Sequence, residues 1–151
     1  MQAEVLSVAP TMTMEDLEDL LLKERIGGVP VLENGALVGV VSRSDFVRVA
    51  GLERSLAGAV DDAAEQSGAT APARSARTGA RVFRARTVRD IMAPDVVTVK
   101  PDTPLEEVAR VLAKRHLHRV LVTEGTKVLG VISTLDIVRL VADHRLREAT
   151  D

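Results

Sequence analysis

Cysteine, tryptophan and tyrosine are absent from this chain of 151 residues, and only two phenylalanines occur in it. The lack of cysteine excludes disulfides, thiolate metal sites and a cysteine nucleophile. The scarcity of aromatic side chains leaves little on which nucleic-acid bases can stack. No apolar run approaches the roughly 18 residues that a membrane span requires. Together with a net charge of −2, these absences argue against nucleic-acid and membrane partners.

The residues that are present suit a folded, aliphatic domain. Hydrophobic residues make up 46% of the chain and charged residues 28%, which is enough to bury a core. The length fits one domain or two small halves that share a core. The N-terminal stretch contains Glu4 and lacks the basic segment of a signal peptide, so we expect a soluble, cytoplasmic protein.

One tetrapeptide pattern, Ser-x-x-Asp, occurs twice, at residues 42–45 and at residues 133–136. Each copy follows a Gly-Val strand and precedes an apolar helical run. The offset of 91 residues holds without a gap from Val5/Val96 to Arg48/Arg139. Each half has the pattern of a strand, a helix, two strands and a helix. We interpret the chain as a tandem duplication of this unit.

Local signals mark the ends of several elements. Thr11 or Thr13 is expected to cap the first helix, and Asn34-Gly35 predicts a tight hairpin turn. In the second copy, Thr103 is predicted to be an N-cap, with Glu106 closing a capping box.

Residues 51–87 stand outside the repeat. Their central part is rich in Ala, Gly, Ser, Thr and Pro, and five arginines between residues 74 and 86 make the second half basic. We interpret this stretch as a helical and flexible insert between the copies. A dedicated anion-binding arm is the alternative.

The repeat resembles the CBS motif, which is named after cystathionine beta-synthase. Val88-Arg89-Asp90-Ile91-Met92, followed by Val97-Thr98-Val99-x-Pro101, is similar to the opening of that motif. The segment from Ile26 to Leu32 resembles its central strand, and the two Gly-Val…Ser-x-x-Asp segments resemble its closing signature. The first copy departs from the pattern, since no Val-x-Asp-Ile-Met segment precedes Val5.

The resemblance implies an α+β fold of two tandem β-α-β-β-α motifs, residues 1–50 and 88–151, packed through their sheets with pseudo-twofold symmetry. It implies two clefts between the motifs that bind AMP, ADP or ATP as regulatory ligands, with no cofactor required. It also implies homodimers and an unidentified regulated protein as partners. The expected function is that of an energy or metabolite sensor and not of an enzyme. The alternatives are a structural module for dimerisation or docking with vacant clefts, and an enzyme or nucleic-acid binder.

The resemblance assigns a role to each residue of the repeated pattern. Asp45 and Asp136 would bind ribose, because a carboxylate accepts hydrogen bonds from two adjacent hydroxyls. Four hydroxyl side chains would lie near the phosphate path: Ser42, Ser44, Ser133 and Thr134. The alternative is that each pattern is a capping box, with Ser as the N-cap and Asp at the third helical position.

The same resemblance places an adenine slot on the first strand of each copy, at Leu6-Ser7-Val8 and at Val97-Thr98-Val99. These segments can equally be ordinary core strands.

A His-Arg pair also distinguishes the copies. His118-Arg119 matches a pair that contacts phosphates in nucleotide-sensing members of the family, whereas Gly27-Gly28 occupies the matched place in the first copy. One cleft is therefore expected to be basic and the other neutral. Because family clefts draw on both motifs, the pair can serve either the Asp45 or the Asp136 site, or it can be merely exposed. His116-x-His118 lacks a third ligand, so no metal site is predicted. The sequence also contains no recognisable catalytic arrangement, so no catalytic residue is predicted.

Overall fold

The computed structural model describes residues 1–49, 51, 52, 55 and 85–143, so the predicted insert lies almost wholly outside the described residues. Helices and short β-sheets together confirm the predicted α+β class. The elements, in chain order, are α1 (Met14–Lys23), β1 (Gly28–Glu33), β2 (Ala36–Ser42), α2 (residues 43–49), α3 (Val88–Ile91), β3 (Thr98–Val99), α4 (Leu105–Arg115), β4 (Arg119–Glu124), β5 (Lys127–Ser133) and α5 (Thr134–Ala142).

The chain divides into two compact units. The first-motif unit comprises Ser7–Glu33 and Val38–Asp95. The second-motif unit comprises Met1–Leu6, Asn34–Leu37 and Val96–Asp151. The segment that precedes each motif in sequence therefore belongs to the unit of the other motif.

In the first-motif unit, α1 packs its apolar stripe against the hairpin formed by β1 and β2. Five of the most deeply buried side chains of this core come from α1 and the hairpin: Met14, Leu17, Leu21, Val31 and Val41. Complete burial of one such side chain contributes about 1.5–3 kcal/mol, so these side chains anchor the helix to the hairpin. Thr13 is the N-cap of α1, and its Oγ1 accepts a hydrogen bond from the amide of Asp16 at 3.2 Å.

In the second-motif unit, β3, β4 and β5 form a sheet in that order. β3 runs parallel to β4, and β4 runs antiparallel to β5. The apolar side of α4 covers this sheet, with Val108 and Leu112 packed against Val99, Val120 and Val122. The matched strand of the first-motif unit is shorter than the Leu6-Ser7-Val8 strand predicted from the sequence, since of these residues only Val8 forms a bridge, to Val31.

Each unit is completed by a short lead-in segment at the same position. In the first-motif unit, Ala93 forms an antiparallel bridge with Val40. In the second-motif unit, Gln2 forms the corresponding bridge with Val131. The lead-in that the first copy seemed to lack is thus supplied to its unit by residues 88–95, which contain α3.

One predicted cap is wrong. The side chain of Thr103 does not begin α4, because Pro104 is its N-cap and the helix starts at Leu105. The Oγ1 of Thr103 instead accepts a hydrogen bond from the amide of Lys100 at 3.0 Å. Threonine favours such local turns as readily as it favours helix caps, and here the turn is formed.

Candidate functional site

The Ser-x-x-Asp pattern of the second-motif unit forms a capping box at the start of α5. The backbone N–H and the hydroxyl of Ser133 both donate to Oδ2 of Asp136, each at 2.8 Å. The amide of Asp136 donates in return to the Oγ of Ser133 at 3.1 Å. The other carboxylate oxygen, Oδ1, accepts no hydrogen bond and forms no ion pair among the described residues, while, besides the hydrogen bonds from Ser133, the charge of the N-terminal ammonium also lowers the pKa of this carboxyl. Asp136 is therefore held in a fixed orientation with one oxygen free.

These hydrogen bonds also set the charge state of Asp136. The backbone N–H of Ser133, followed by its hydroxyl, lowers the pKa of the Asp136 carboxyl below its ordinary value. Each bond favours the ionised form, which is the form that accepts hydrogen bonds through both oxygens. At neutral pH the free Oδ1 therefore belongs to a carboxylate.

Several predicted site residues lie at the same end of this sheet. Arg119, the first residue of β4, is the cross-strand partner of Ser133. Thr98 in β3 pairs with Leu121, two residues further along β4. The structure thus brings Thr98, Arg119 and Ser133 to the same end of the sheet, beside the start of α5. Val97 directly precedes Thr98 and is partly buried against the core.

The hydroxyls predicted for the phosphate path already donate within the protein. The amide and the Oγ1 of Thr134 both donate to the carbonyl oxygen of His118, at 2.9 and 3.3 Å. The hydroxyl of Ser133 donates to Asp136. In contrast, the exposed side chains of His118 and Arg119 have no hydrogen-bond or ion-pair partner within the described residues. Of the predicted phosphate ligands in this unit, these two side chains are therefore the ones with free donors.

The first-motif unit repeats the two hydrogen bonds that the serine donates but not the free oxygen. The backbone N–H and hydroxyl of Ser42 both donate to Oδ2 of Asp45, each at 2.8 Å. The Nη2 of Arg48 lies 2.7 Å from Oδ1 of the same carboxylate and forms an ion pair with it. Asp45 is only 7% exposed. Both of its oxygens are therefore engaged, in a more buried setting than that of Asp136.

The neighbours of this frame also differ from those of its counterpart. Gly28 lies so close to β2 that a Cβ would come within 2.9 Å of the carbonyl oxygen of Val41. Arg43 occupies the position of Thr134 and donates to the carbonyl oxygen of Leu21 at 3.1 Å. Gly27-Gly28 predicts a neutral site in this unit, but two arginines, Arg43 and Arg48, lie near the frame. Ser44 is exposed at the start of α2, and Ser7 directly precedes Val8, the residue that bridges to β1.

Sequence reasoning missed Arg43 and Arg48. The three-residue spacing from Asp45 to Arg48 is a signal for a helical ion pair. That signal is equally present between Asp136 and Arg139, however, and within the described residues no ion pair joins those two side chains. Spacing alone therefore could not identify the frame in which the carboxylate is engaged.

α4 and α5 enclose a further surface feature of the second-motif unit, a groove of about 500 Å³. It is lined chiefly by apolar side chains, with His116, His118 and Thr134 at its polar part. Among the described residues, no group of three or more His, Asp or Glu is placed to hold a metal ion. None of the described helices has the length and apolar composition needed to cross a bilayer.

Two known proteins are similar to this chain over most of its length. The chain is 30% identical over 140 residues to CBSX1, a chloroplastic CBS domain-containing protein of Arabidopsis thaliana; the match covers 87% of this chain and 57% of that protein. It is 31% identical over 141 residues to a protein named zinc metalloprotease MJ0392 from Methanocaldococcus jannaschii, covering 93% of this chain but 30% of that protein. The chain thus spans less than two thirds of either relative.

Among solved structures, CBSX2 in complex with AMP aligns with a TM-score of 0.70 at 23% identity, covering 96% of this chain and 94% of that chain. This likeness supports the fold. The sequence profile of the family described as "CBS domain" matches residues 1–51 and 88–143. Because these two segments make up most of the chain, it belongs to the CBS domain family.

Proposed function

We propose that this chain is a regulatory module that binds an adenine nucleotide, and that Asp136 is the ribose ligand of its stronger site. The observation that carries the proposal is the free Oδ1 of Asp136 on a carboxylate whose Oδ2 is fixed by Ser133. A carboxylate that is already oriented loses little conformational freedom when a ligand arrives. A ribose offers two neighbouring hydroxyls, and hydrogen bonds from them to a charged acceptor are among the stronger kind.

The phosphate is assigned to the side chains of His118 and Arg119. Arg119 lies opposite Ser133 across the sheet, so it flanks the same frame as Asp136. An arginine offers a planar fork of donors that matches phosphate oxygens. The hydroxyls of Ser133 and Thr134 then act indirectly, by holding Asp136 and the backbone of His118 in place. Val97 and Thr98 supply the strand edge on which an adenine would lie, and Ser7 holds the matched position in the first-motif unit.

The relatives support a nucleotide as the ligand. CBSX2 was crystallised with AMP, and the capping frame around Asp136 suits the ribose of that ligand. The proposal keeps residues 1–50 and 88–151 as the two motifs, with residues 51–87 between them. It assigns the module regulation of an unidentified partner without catalysis of its own. A cytoplasmic location stays a prediction, since the relative CBSX1 is named chloroplastic.

Isothermal titration calorimetry with AMP, ADP, ATP, NAD and S-adenosylmethionine tests the proposal. We expect heat of binding with at least one adenosine ligand and loss of the tighter of its two sites in Asp136→Asn, which keeps the side-chain shape but removes the charge. Asp102→Asn is the matched control, because Asp102 is exposed and has no partner among the described residues. Absence of binding for all five ligands contradicts the proposal and favours a structural module.

A second candidate role, homodimerisation, is favoured by the outer faces of α2 and α5. Val47 and Val138 occupy matched positions after their aspartates and are 70% and 54% exposed. Leu135 and Val141 extend the apolar face of α5, each 55% exposed. An apolar side chain exposed at the same register in both motifs suits burial against a second copy of the chain. We assign this surface to a homodimer, which is compatible with nucleotide binding.

A further inference from the structure

We infer that Arg48 determines how the two Ser-x-x-Asp frames differ in ligand affinity, by occupying the carboxylate oxygen of Asp45 that a ribose would need. This inference rests on the proposed function, because it concerns competition for the same kind of ligand. The carboxylate of Asp45 accepts two hydrogen bonds at Oδ2 from Ser42 and one at Oδ1 from Arg48. The bond from Arg48 leaves Oδ1 of Asp45 with one of its two lone pairs, so both hydroxyls of a ribose can donate to that oxygen only when the guanidinium moves away.

The geometry of Arg48 suits a competitor that can be displaced. Its side chain is 65% exposed, whereas that of Asp45 is 10% exposed. The guanidinium therefore reaches from solvent onto a carboxylate that is itself almost buried. A second, longer contact of 3.5 Å joins its Nη2 to the carbonyl oxygen of Ile91 in α3. Because most of the Arg48 side chain is already exposed, its release breaks chiefly these polar contacts.

The second-motif unit provides an internal comparison. Arg139 occupies the position that matches Arg48, three residues after Asp136. It lowers the pKa of Asp136 only as the last of several causes, after the hydrogen bonds from Ser133 and the charge of the N-terminal ammonium of Met1. No hydrogen bond or ion pair joins it to Asp136 in the described part of the chain. The same two residue types at the same spacing thus form an ion pair in the first-motif unit and none in the second-motif unit.

Selective binding follows from this difference. A nucleoside that binds at Asp136 meets a free, oriented oxygen, whereas one that binds at Asp45 must first break an ion pair. Partly exposed ion pairs contribute modestly, so the expected penalty is about two- to five-fold in affinity. We therefore expect one nucleoside site to fill before the other, although the two aspartates lie in the same sequence pattern.

Adenosine is the appropriate probe because it is neutral, so salt acts on the protein charges and not on the ligand. In an Asp136→Ala background, only the site at Asp45 remains. Adding Arg48→Gln in that background should tighten adenosine binding about two- to five-fold. Raising salt from about 0.01 M to about 1 M shortens the Debye length from about 30 Å to about 3 Å. This should tighten binding when Arg48 is present and have no such effect in Arg48→Gln.

Two further variants separate competition from a structural role. Arg48→Lys keeps the charge, so it should keep the salt dependence even if Arg48→Gln is poorly folded. Arg139→Gln in an Asp45→Ala background is the matched control, and its adenosine affinity should stay within about two-fold of Asp45→Ala alone.

The outcomes distinguish the inference from the proposed function. If adenosine binds at Asp136 but neither the Arg48 substitution nor salt alters binding at Asp45, Arg48 is not a competitor and the inference is wrong. If the two sites of the wild-type protein bind adenosine with equal affinity, the inference is again wrong, while the proposal that the chain binds an adenine nucleotide stands. If adenosine and AMP bind to neither the wild type nor any variant, the proposed function fails and the inference fails with it.

Discussion

Arg48 places its Nη2 at 2.7 Å from Oδ1 of Asp45, and this contact makes the two halves of a duplicated sequence chemically different. In both frames the serine donates twice to one oxygen of its aspartate, and at Asp136 the aspartate amide also donates back to the serine hydroxyl. The role of helix cap and the role of ribose ligand are therefore compatible for Asp136. They use different oxygens of one carboxylate.

Removal of each aspartate should destabilise the protein to a different extent. Asp45→Ala leaves the N–H and hydroxyl of Ser42 without their acceptor in a nearly buried setting, so we expect a loss of about 1–3 kcal/mol in the free energy of unfolding. Asp136→Ala removes a half-buried cap and should cost about 1 kcal/mol. Urea denaturation measures both, with the exposed Asp102→Ala as a control expected within about 0.5 kcal/mol of wild type. A larger loss for Asp136→Ala than for Asp45→Ala would contradict this ranking.

Stability should depend on acid pH through Asp136 and Asp90. The backbone N–H of Thr87 lowers the pKa of Asp90 despite an opposing effect of burial, and the backbone N–H of Ser133 lowers that of Asp136. A carboxyl whose folded pKa lies below its unfolded value of about 3.9 stabilises the fold above that value and loses the contribution as pH falls through the folded pKa.

Urea midpoints measured between about pH 6 and about pH 2 should therefore fall less steeply in Asp136→Asn than in wild type. The exposed Asp102→Asn serves as the control and should follow the wild-type curve. An identical acid dependence in wild type and Asp136→Asn would show that Ser133 does not stabilise the ionised form.

The lead-in segments should pack against their sheets only if glycine occupies two matched strand positions, Gly39 and Gly130. A Cβ at Gly39 would lie 2.8 Å from the carbonyl oxygen of Ala93, and one at Gly130 would lie 2.8 Å from that of Gln2. Both Gly39→Ala and Gly130→Ala should therefore push the lead-in strand from its sheet, at a cost of about 1–3 kcal/mol in unfolding free energy. Gly27→Ala is the control, because nothing lies within 4 Å of its Cβ position. Unchanged urea midpoints in the two strand variants would contradict the close packing.

Backbone features that depend on local sequence could be predicted well. Asn34 and Gly35 adopt left-handed conformations, with φ of 51° and 81°, as the hairpin signal requires. The repeat also carries the left-handed conformation to matched positions after α1 and α4, where Arg25 and His116 both have φ of 53°. Histidine is among the residues enriched in this region, whereas arginine is not. The duplicated backbone therefore explains Arg25 better than its own propensity does.

Features that depend on contacts between distant segments could not be predicted. The sequence suggests that residues 88–92 belong to the second motif, yet they complete the first-motif unit. The ion pair between Arg48 and Asp45 is another example. Arg139 has the same spacing from Asp136 without forming one, and Arg48 also approaches the carbonyl oxygen of Ile91, 43 residues away. Sequence patterns define which residues can meet, whereas tertiary surroundings decide which of them do.

The assignment of His118 and Arg119 to phosphate predicts a selective loss. Arg119→Ala should weaken AMP binding about ten-fold, since it removes a charged donor, but should leave adenosine binding within about two-fold. His118→Ala should act in the same direction with a smaller effect. Calorimetry with both ligands measures the ratio of affinities, and the exposed Lys127→Ala is a control for loss of general positive charge on this sheet. Equal weakening of AMP and adenosine by Arg119→Ala would indicate structural damage and contradict the phosphate role.

The homodimer proposal can be tested on the outer helix faces without altering the residues that are proposed to bind the nucleotide. Val141→Glu and Val47→Glu each place a charge on a side chain that is at least half exposed, so the folded monomer should tolerate them. A charge at an apolar interface must be desolvated without a partner, and the dimer should therefore dissociate. Sedimentation velocity measures the shift from dimer to monomer, with the exposed Glu107→Gln on α4 as a control. If both glutamate variants sediment like the wild type, the dimer does not use these faces. If the wild type is itself a monomer at high concentration, the homodimer proposal is wrong, and the exposed valines require a different partner.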